Sequence, residues 1–441
     1  MRGERFTVNG TRLTVRGERY KKDGTIFVPL ILHRVPLTVH PAPFTVYPKE
    51  FVMENLKSEL QKELVENILP YWMKKTVDKE HGGFYGRIDG REQAHPEANK
   101  GAVMNARILW TFSAAYRLYP DPQYLEIAER AFHYMVDHFV DKEYGGVYWE
   151  LDYLGNPVNM RKQVYAQGFA IYGFSEFYRA TGRKEALDEA VQLFRLLEQH
   201  AYDPEEGGYI EARDRNWQPI DDMRLSDREI NAPKSMNTHL HILEPYTNLL
   251  RVWRDPDLEK AHERLIHVFC NHIISRDTHH LILFFDEKWE PLSNIFSYGH
   301  DIECSWLLYE AAEVLGDEEL LARVKPICMD VIKAAYEGLQ DDGSMVYESE
   351  NQHFDMERQW WVQAETVVGS AYAYKLSGDA LYLQIAQKAW EYIQNHLIDR
   401  ENGEWFWGVS PEGQADRGGD KAGFWKCPYH NARMCMEILS L

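Results

Sequence analysis

Apolar residues recur at spacings of three and four in twelve stretches of this chain, most of them arranged in pairs. Residues 107–119 and 122–140 form the first pair. Then come 164–181 with 184–200, 235–252 with 258–275, 302–316 with 320–337, and 363–377 with 379–396. Residues 52–77 supply an opening helix and 429–441 a closing one. Inside the pairs, breakers such as Thr181-Gly182, Leu315-Gly316-Asp317 and Ser377-Gly378-Asp379 predict tight turns between antiparallel neighbours.

Between the pairs the pattern changes. A glycine-plus-aromatic unit recurs six times: His81-Gly82-Gly83-Phe84-Tyr85, Tyr144-Gly145-Gly146-Val147-Tyr148, Glu206-Gly207-Gly208-Tyr209-Ile210, a degenerate His279-His280-Leu281-Ile282-Leu283, Asp342-Gly343-Ser344-Met345-Val346-Tyr347 and Asn402-Gly403-Glu404-Trp405-Phe406. Gly83 and Gly146 are 63 residues apart, Gly146 and Gly208 62, and Gly343 and Gly403 60. The 135 residues from Gly208 to Gly343 leave room for the degenerate copy. Each unit predicts a short hairpin, with glycine supplying a positive φ at the turn. Six helical hairpins must bury their apolar faces on one another, and a closed ring leaves no unprotected end. The predicted fold is all-α: an (α/α)6 barrel of twelve helices, with short β-hairpins in the loops at one mouth.

The repeat runs nearly end to end, so residues 51–441 are expected to form one catalytic domain. The first fifty residues differ. They carry nine Lys/Arg against four Asp/Glu, while the remainder carries 40 against 65. They are rich in Thr, Val and Pro and lack a helical period, which predicts a dispensable N-terminal extension. A net charge of −20 argues against nucleic acid or an anionic membrane surface as partner. Five cysteines without close-spaced pairs point to a reducing compartment, and no stretch reads as a membrane span or secretory leader. The expectation is a cytoplasmic monomer.

Candidate chemistry gathers at the start of each inner helix, just after a hairpin. Met104-Asn105-Ala106-Arg107, Val164-Tyr165-Ala166-Gln167, Ser235-Met236-Asn237-Thr238-His239-Leu240-His241, Tyr298-Gly299-His300-Asp301-Ile302-Glu303, Gln359-Trp360-Trp361-Val362-Gln363-Ala364-Glu365 and Trp425-Lys426-Cys427-Pro428-Tyr429-His430-Asn431 occupy one phase of the repeat and predict one central pocket. His239 and His241 diverge by about 200° on a helix, so one of them is a packing residue. Glu303 lies three residues after His300, placed to orient its imidazole. Arg107, within an apolar run, needs an anionic partner or ligand. His430 reads equally as a helix cap or a catalyst. A zinc site from His239, His241 and His300 lacks the HExxH spacing and any cysteine, so no metal is expected.

With these motifs the chain resembles the N-acylglucosamine 2-epimerase family, in its disaccharide-acting branch, from about residue 52 to 441. The resemblance implies reversible epimerisation at C2 of the reducing-end glucose of β-1,4-linked disaccharides such as cellobiose, lactose and mannobiose, without metal or nucleotide cofactor. It implies His300 and His430 as the proton-transfer pair. Arg107, His241 and Asn237 would stabilise a cis-enediolate and assist ring opening, with Glu303 tuning His300. Trp361 and Trp425 would stack on the sugars, with Tyr165, Glu348 and Trp405 lining the pocket. Val362 and Cys427 depart from the family's proline and glycine. Within the superfamily, mannose isomerase and N-acetylglucosamine 2-epimerase are alternatives. A glycoside hydrolase using Glu303 and Glu365 would leave Arg107 and His430 unexplained, and a non-catalytic sugar-binding module would leave the ring of titratable groups without a use.

Overall fold

The computed structural model describes residues 49–441 except 228 and 352, together with four short strands nearer the N-terminus. Those strands form two antiparallel ribbons, Arg5–Val8 with Thr11–Thr14 and Tyr20–Lys22 with Thr25–Phe27, in a unit separate from residues 48–441. The Thr/Val/Pro-rich stretches at 35–39 and 41–44 lie outside the described residues.

The larger unit contains the predicted helices. α1 (Lys49–Glu63) runs through a π turn, Leu64–Ile68, into α2 (Leu69–Lys75), so the opening helix is one continuous rod. The pairs are α3 (Ala102–Leu118) with α4 (Pro122–Tyr134), α5 (Val164–Thr181) with α6 (Lys184–His200), and α7 (Met236–Leu250) with α8 (Pro256–Val268). They continue with α9 (Tyr298–Leu315) and α10 (Glu318–Ala335), then α11 (Trp360–Ser377) and α12 (Ala380–His396). α13 (Tyr429–Ser440) is last. α3 packs on α5, α5 on α7, α7 on α9, α9 on α11, α11 on α13, and α13 returns to α3. That closes the inner ring, and α1, α4, α6, α8, α10 and α12 surround it.

Local sequence explains the alternation. Asp121, Asp255, Asp317 and Asp379 cap α4, α8, α10 and α12, each accepting a first-turn backbone N–H, with Pro122 and Pro256 opening two of these helices. α5, α9 and α11 stop at Gly182, Gly316 and Gly378, whose φ values of 70°, 84° and 71° are left-handed C-caps. The inner helices are buried around almost their whole circumference, because one side faces the outer layer and the other the barrel axis.

The glycine-aromatic turns sit where each outer helix leads toward the next inner one. Each closes with one antiparallel bridge: Val77 with Phe84, Val140 with Val147, Tyr202 with Tyr209, Ile274 with Leu281, Leu339 with Met345, and Ile398 with Trp405. In the degenerate copy His279 itself adopts the left-handed conformation, at φ 63°. The residues just before each inner helix then pair with the following repeat. Lys100–Gly101 pairs with Glu150–Leu151, Lys162–Gln163 with Ala212–Arg213, and Lys234–Ser235 with Phe284–Phe285. Ile295–Ser297 pairs with Glu348–Glu350, and Arg358–Gln359 with Gly408–Val409. A bridge between Ile88 and Ala422 joins the first repeat to the last.

Ion pairs lock four of these turns. Lys100–Asp78, Lys162–Asp141, Lys234–Asp203 and Lys421–Asp399 are 2.8–3.0 Å apart. In the degenerate repeat Ser275 stands at the aspartate position and Phe296 at the lysine position, so both partners are lost together. There Phe296 stacks on His280, which bonds Asp301 at 2.6 Å. A belt of short strands therefore holds the starts of the inner helices at one mouth. Helix N-termini carry partial positive charge, which favours a negative ligand.

Candidate active site

His239 and His241 separate as their two-residue spacing demands. Nε2 of His239 accepts the backbone N–H of Tyr209 at 2.9 Å, while Nδ1 lies 2.6 Å from the Ser235 carbonyl, so this residue holds a hairpin. Gln167, Asp301 and Gln363 accept the N–H of Val147, Leu281 and Met345 in the same way. His241 faces the axis. Its Nδ1 lies 3.0 Å from Glu244, and its ring is 5.0 Å from those of Tyr165 and Phe169.

Arg107 is buried without a carboxylate. Nη2 donates to the Tyr165 hydroxyl at 2.9 Å, and Nη1 lies 3.7 Å from Cys427 Sγ. The guanidinium sits over the rings of Phe169 and Tyr429, at 4.1 and 4.6 Å, and its Nε has no partner. Cys427 thus touches this cation directly. Asn237, on the first turn of α7, keeps its buried amide oxygen unbonded. The bare Nε of Arg107 and the bare amide oxygen of Asn237 leave hydrogen-bonding capacity for a bound molecule.

His300 and His430 flank the same indole. The Trp361 ring is 4.7 Å from His300 and 5.5 Å from His430, and its Nε1 donates to Gln359. Gly299 makes this possible, since a Cβ there would stand 2.6 Å from Trp361. Nδ1 of His300 lies 2.7 Å from Ser297 Oγ, and Nδ1 of His430 lies 2.7 Å from Glu365 Oε1. No protein atom among the described residues hydrogen-bonds Nε2 of His241, His300 or His430. Burial pushes His300 down to about 3, helped by repulsion from His241 and His430. It also pushes His430 to about 3 against the opposing pull of Glu365. Burial thus disfavours the charged form of both imidazoles, and Glu365 counters it at His430.

Glu303 does not serve His300. Three residues advance the helix by about 300°, and the glutamate side chain lies one turn deeper than the imidazole. There it accepts from Arg433 and approaches Nδ1 of His430 at 3.8 Å. Arg433 was not singled out from the sequence, yet it organises the pocket floor. Its guanidinium bonds Glu244 at 2.6 Å, Glu365 at 2.7 Å and Glu303, and Tyr429 donates its hydroxyl to Glu244. An arginine in the apolar run Ala432-Arg433-Met434 is the same signal that marked Arg107. Glu244, Glu303, Glu365, His241 and His430 bring ligand-type atoms close together, but the Arg433 guanidinium lies among the carboxylates.

The carboxylates divide. Burial alone would raise Glu365, but Arg433 and His430 outweigh it and hold the group at about 2. Arg433 and His241 likewise keep Glu244 low against burial. Glu303 is pushed up to about 8 by burial and by Glu365. A folded-state value above the unfolded 4.5 favours folding fully below that pH, and the contribution is lost as pH rises through about 8. Glu303→Gln should therefore flatten the decline in Tm between pH 6 and 9 and exceed the wild type by a few degrees at pH 9. Parallel melting curves for the two proteins would show that Glu303 carries no such proton.

Of the expected sugar contacts, Trp425 is half-buried, 6.0 Å from the rings of Tyr165 and Trp149. Glu348 is half-buried on the strand opposite Ser297, and burial raises it to about 7. Trp405 is not in the pocket. It is fully buried behind the inner ring, with Nε1 on Glu63 at 2.8 Å and its ring beside Trp390 of α12.

The model of the N-acylglucosamine 2-epimerase (GlcNAc 2-epimerase) family matches residues 83–433. The chain belongs to this family. It is 55% identical over 388 residues to a cellobiose 2-epimerase of Bacteroides fragilis, covering 88% of this chain and 99% of that protein. The solved cellobiose 2-epimerase of Bacillus thermoamylovorans superposes with a TM-score of 0.85 at 40% identity, over 88% of this chain and 99% of the other. A D-mannose isomerase shares the fold at a TM-score of 0.76 and 20% identity, over 89% and 99% of the two chains. The family relationship makes the chain a carbohydrate epimerase and accounts for the barrel. No helix among its described residues is long and apolar enough to cross a membrane.

Proposed function

We propose that the enzyme interconverts the C2 epimers of the reducing-end sugar of β-1,4-linked disaccharides, taking cellobiose to 4-O-β-D-glucosyl-D-mannose and acting also on lactose and mannobiose. The similarity to cellobiose 2-epimerases supports the substrate. The observation that carries the mechanism is the placement of His300 and His430 on one indole, each with a bare Nε2. Once the pyranose opens, C2–H is acidified by the aldehyde. One imidazole takes the proton, and the C–H electron pair becomes the C1–C2 double bond of a cis-enediolate. The other imidazole returns a proton to the opposite face. Arg107 and the nearby helix N-termini stabilise the negative oxygens, with His241 and Asn237 as hydrogen-bond partners. Glu365 behind His430 favours that ring as the cationic donor when His300 is the base, and the roles exchange in the reverse direction.

A hydrolase needs two carboxyl groups on opposite sides of a glycosidic bond. Glu303 and Glu365 instead lie side by side on one guanidinium. The deciding experiment is an NMR time course in D2O with cellobiose, lactose, mannobiose, mannose and N-acetylglucosamine. Deuterium should appear at C2 of both product and recovered disaccharide. Epimer formed without deuterium at C2 would exclude proton transfer, free glucose would favour hydrolysis, and conversion of mannose alone would favour an isomerase.

A further inference from the structure

Ser297 stands at the N-cap of α9, where a serine ordinarily accepts a backbone N–H from the first turn. Ser235 does so at the equivalent place in α7, its Oγ accepting the N–H of Thr238 at 3.1 Å. Ser297 makes no capping bond. Its buried hydroxyl lies instead 2.7 Å from Nδ1 of His300. Across the antiparallel pairing, Ser297 is directly opposite Glu348. The Tyr298 hydroxyl bonds Ser349 Oγ at 2.9 Å and pins that register.

We propose that Ser297 is a positioning residue for His300. It directs its hydroxyl proton at Glu348 and accepts the Nδ1–H of the imidazole, so that a bare Nε2 faces the pocket. This inference rests on the reading of His300 as a proton-transfer group. On abstraction the C2 proton passes to Nε2, and the bonding pair enters the enediolate. Nδ1–H stays on the serine throughout, so no proton travels through the hydroxyl. His430 receives the same orientation from Glu365 directly, without an intervening hydroxyl. Each ring thus has a carboxyl group behind it, one in contact and one at second hand. Which ring nitrogen carries the proton is set by the bond the other nitrogen makes.

The test compares Ser297→Ala, Ser297→Thr and Ser235→Ala by steady-state kinetics and by NMR of 15N-histidine-labelled protein, with His300 assigned from the His300→Ala spectrum. The wild type should show His300 protonated at Nδ1. Ser297→Ala should mix the two tautomers and lower kcat about tenfold or more, part of the 10²–10⁴ that general acid–base catalysis supplies. Its KM should stay within about twofold. Ser297→Thr should recover both readouts, whereas Ser235→Ala should lower Tm and leave kcat alone. An Nε2-protonated His300 in the wild type, or an unchanged tautomer and kcat in Ser297→Ala, would overturn the proposal. A wild type that exchanges no hydrogen at C2 would overturn the functional reading instead, leaving the tautomer measurement intact.

Discussion

Replacing His430 with alanine should stop inversion at C2 while leaving one half of the chemistry running. His300 would still remove and return a proton on its own face. A disaccharide whose C2–H faces His300 should therefore take up deuterium from D2O without forming its epimer. His300→Ala should show the mirror behaviour, exchanging hydrogen only into the other epimer. Losses in epimerisation of about 10²–10⁴ are expected from either change, the range for a positioned acid or base. Helicity and disaccharide affinity should change little, because Trp361, Trp425 and Arg107 remain. Retained epimerisation in both single variants would exclude a two-histidine mechanism.

The largest effect on stability should come from Arg433→Met. The substitution roughly keeps the volume and removes the guanidinium that bonds Glu244, Glu303 and Glu365. Breaking a buried pair from one side leaves uncompensated charge, at about 3–5 kcal/mol. Chemical denaturation should show that loss, or the variant should fail to fold. Adding Glu244→Gln and Glu365→Gln should recover part of the stability, since the stranded charges disappear. Activity should stay lost, because His430 no longer has an ionised carboxylate on Nδ1. A stable single variant would mean that those acids are already protonated and that Arg433 is not their counter-ion.

The fold was legible because both periodicities are strong. The 3.6-residue pattern marked the helices and the recurring glycines marked the turns. The ranges 164–181 and 184–200 agree with α5 and α6 to the residue, since Gly182 ends one and Arg183 immediately precedes the other. Starts of inner helices were read several residues late at α3 and α9, where polar residues of the pocket interrupt the apolar pattern. The clustering of Arg107, His241, His300 and His430 at the starts of inner helices was legible from polar groups falling at one phase of every repeat. Their partnerships were not. Spacing and the family resemblance both pair Glu303 with His300, yet side-chain direction sends it to Arg433, and Ser297 takes its place. The family resemblance puts Trp405 in the pocket, but in its hairpin the indole turns toward α1 and α12. The Lys–Asp pairs were also missed. Each joins residues more than twenty apart across two turns, and neither propensity nor period reports such a contact.

Ring closure by α13 has a consequence for how the enzyme is made. This helix brings His430 and Arg433 to a floor whose acids sit on α7, α9 and α11. While a nascent chain is still short of residue 429, the other five inner helices lack a sixth neighbour and three acids face the gap without their cation. The candidate site therefore assembles only after α13 has been made. Until then the incomplete ring exposes an apolar seam between α11 and α3, the surface a chaperone would be expected to shield.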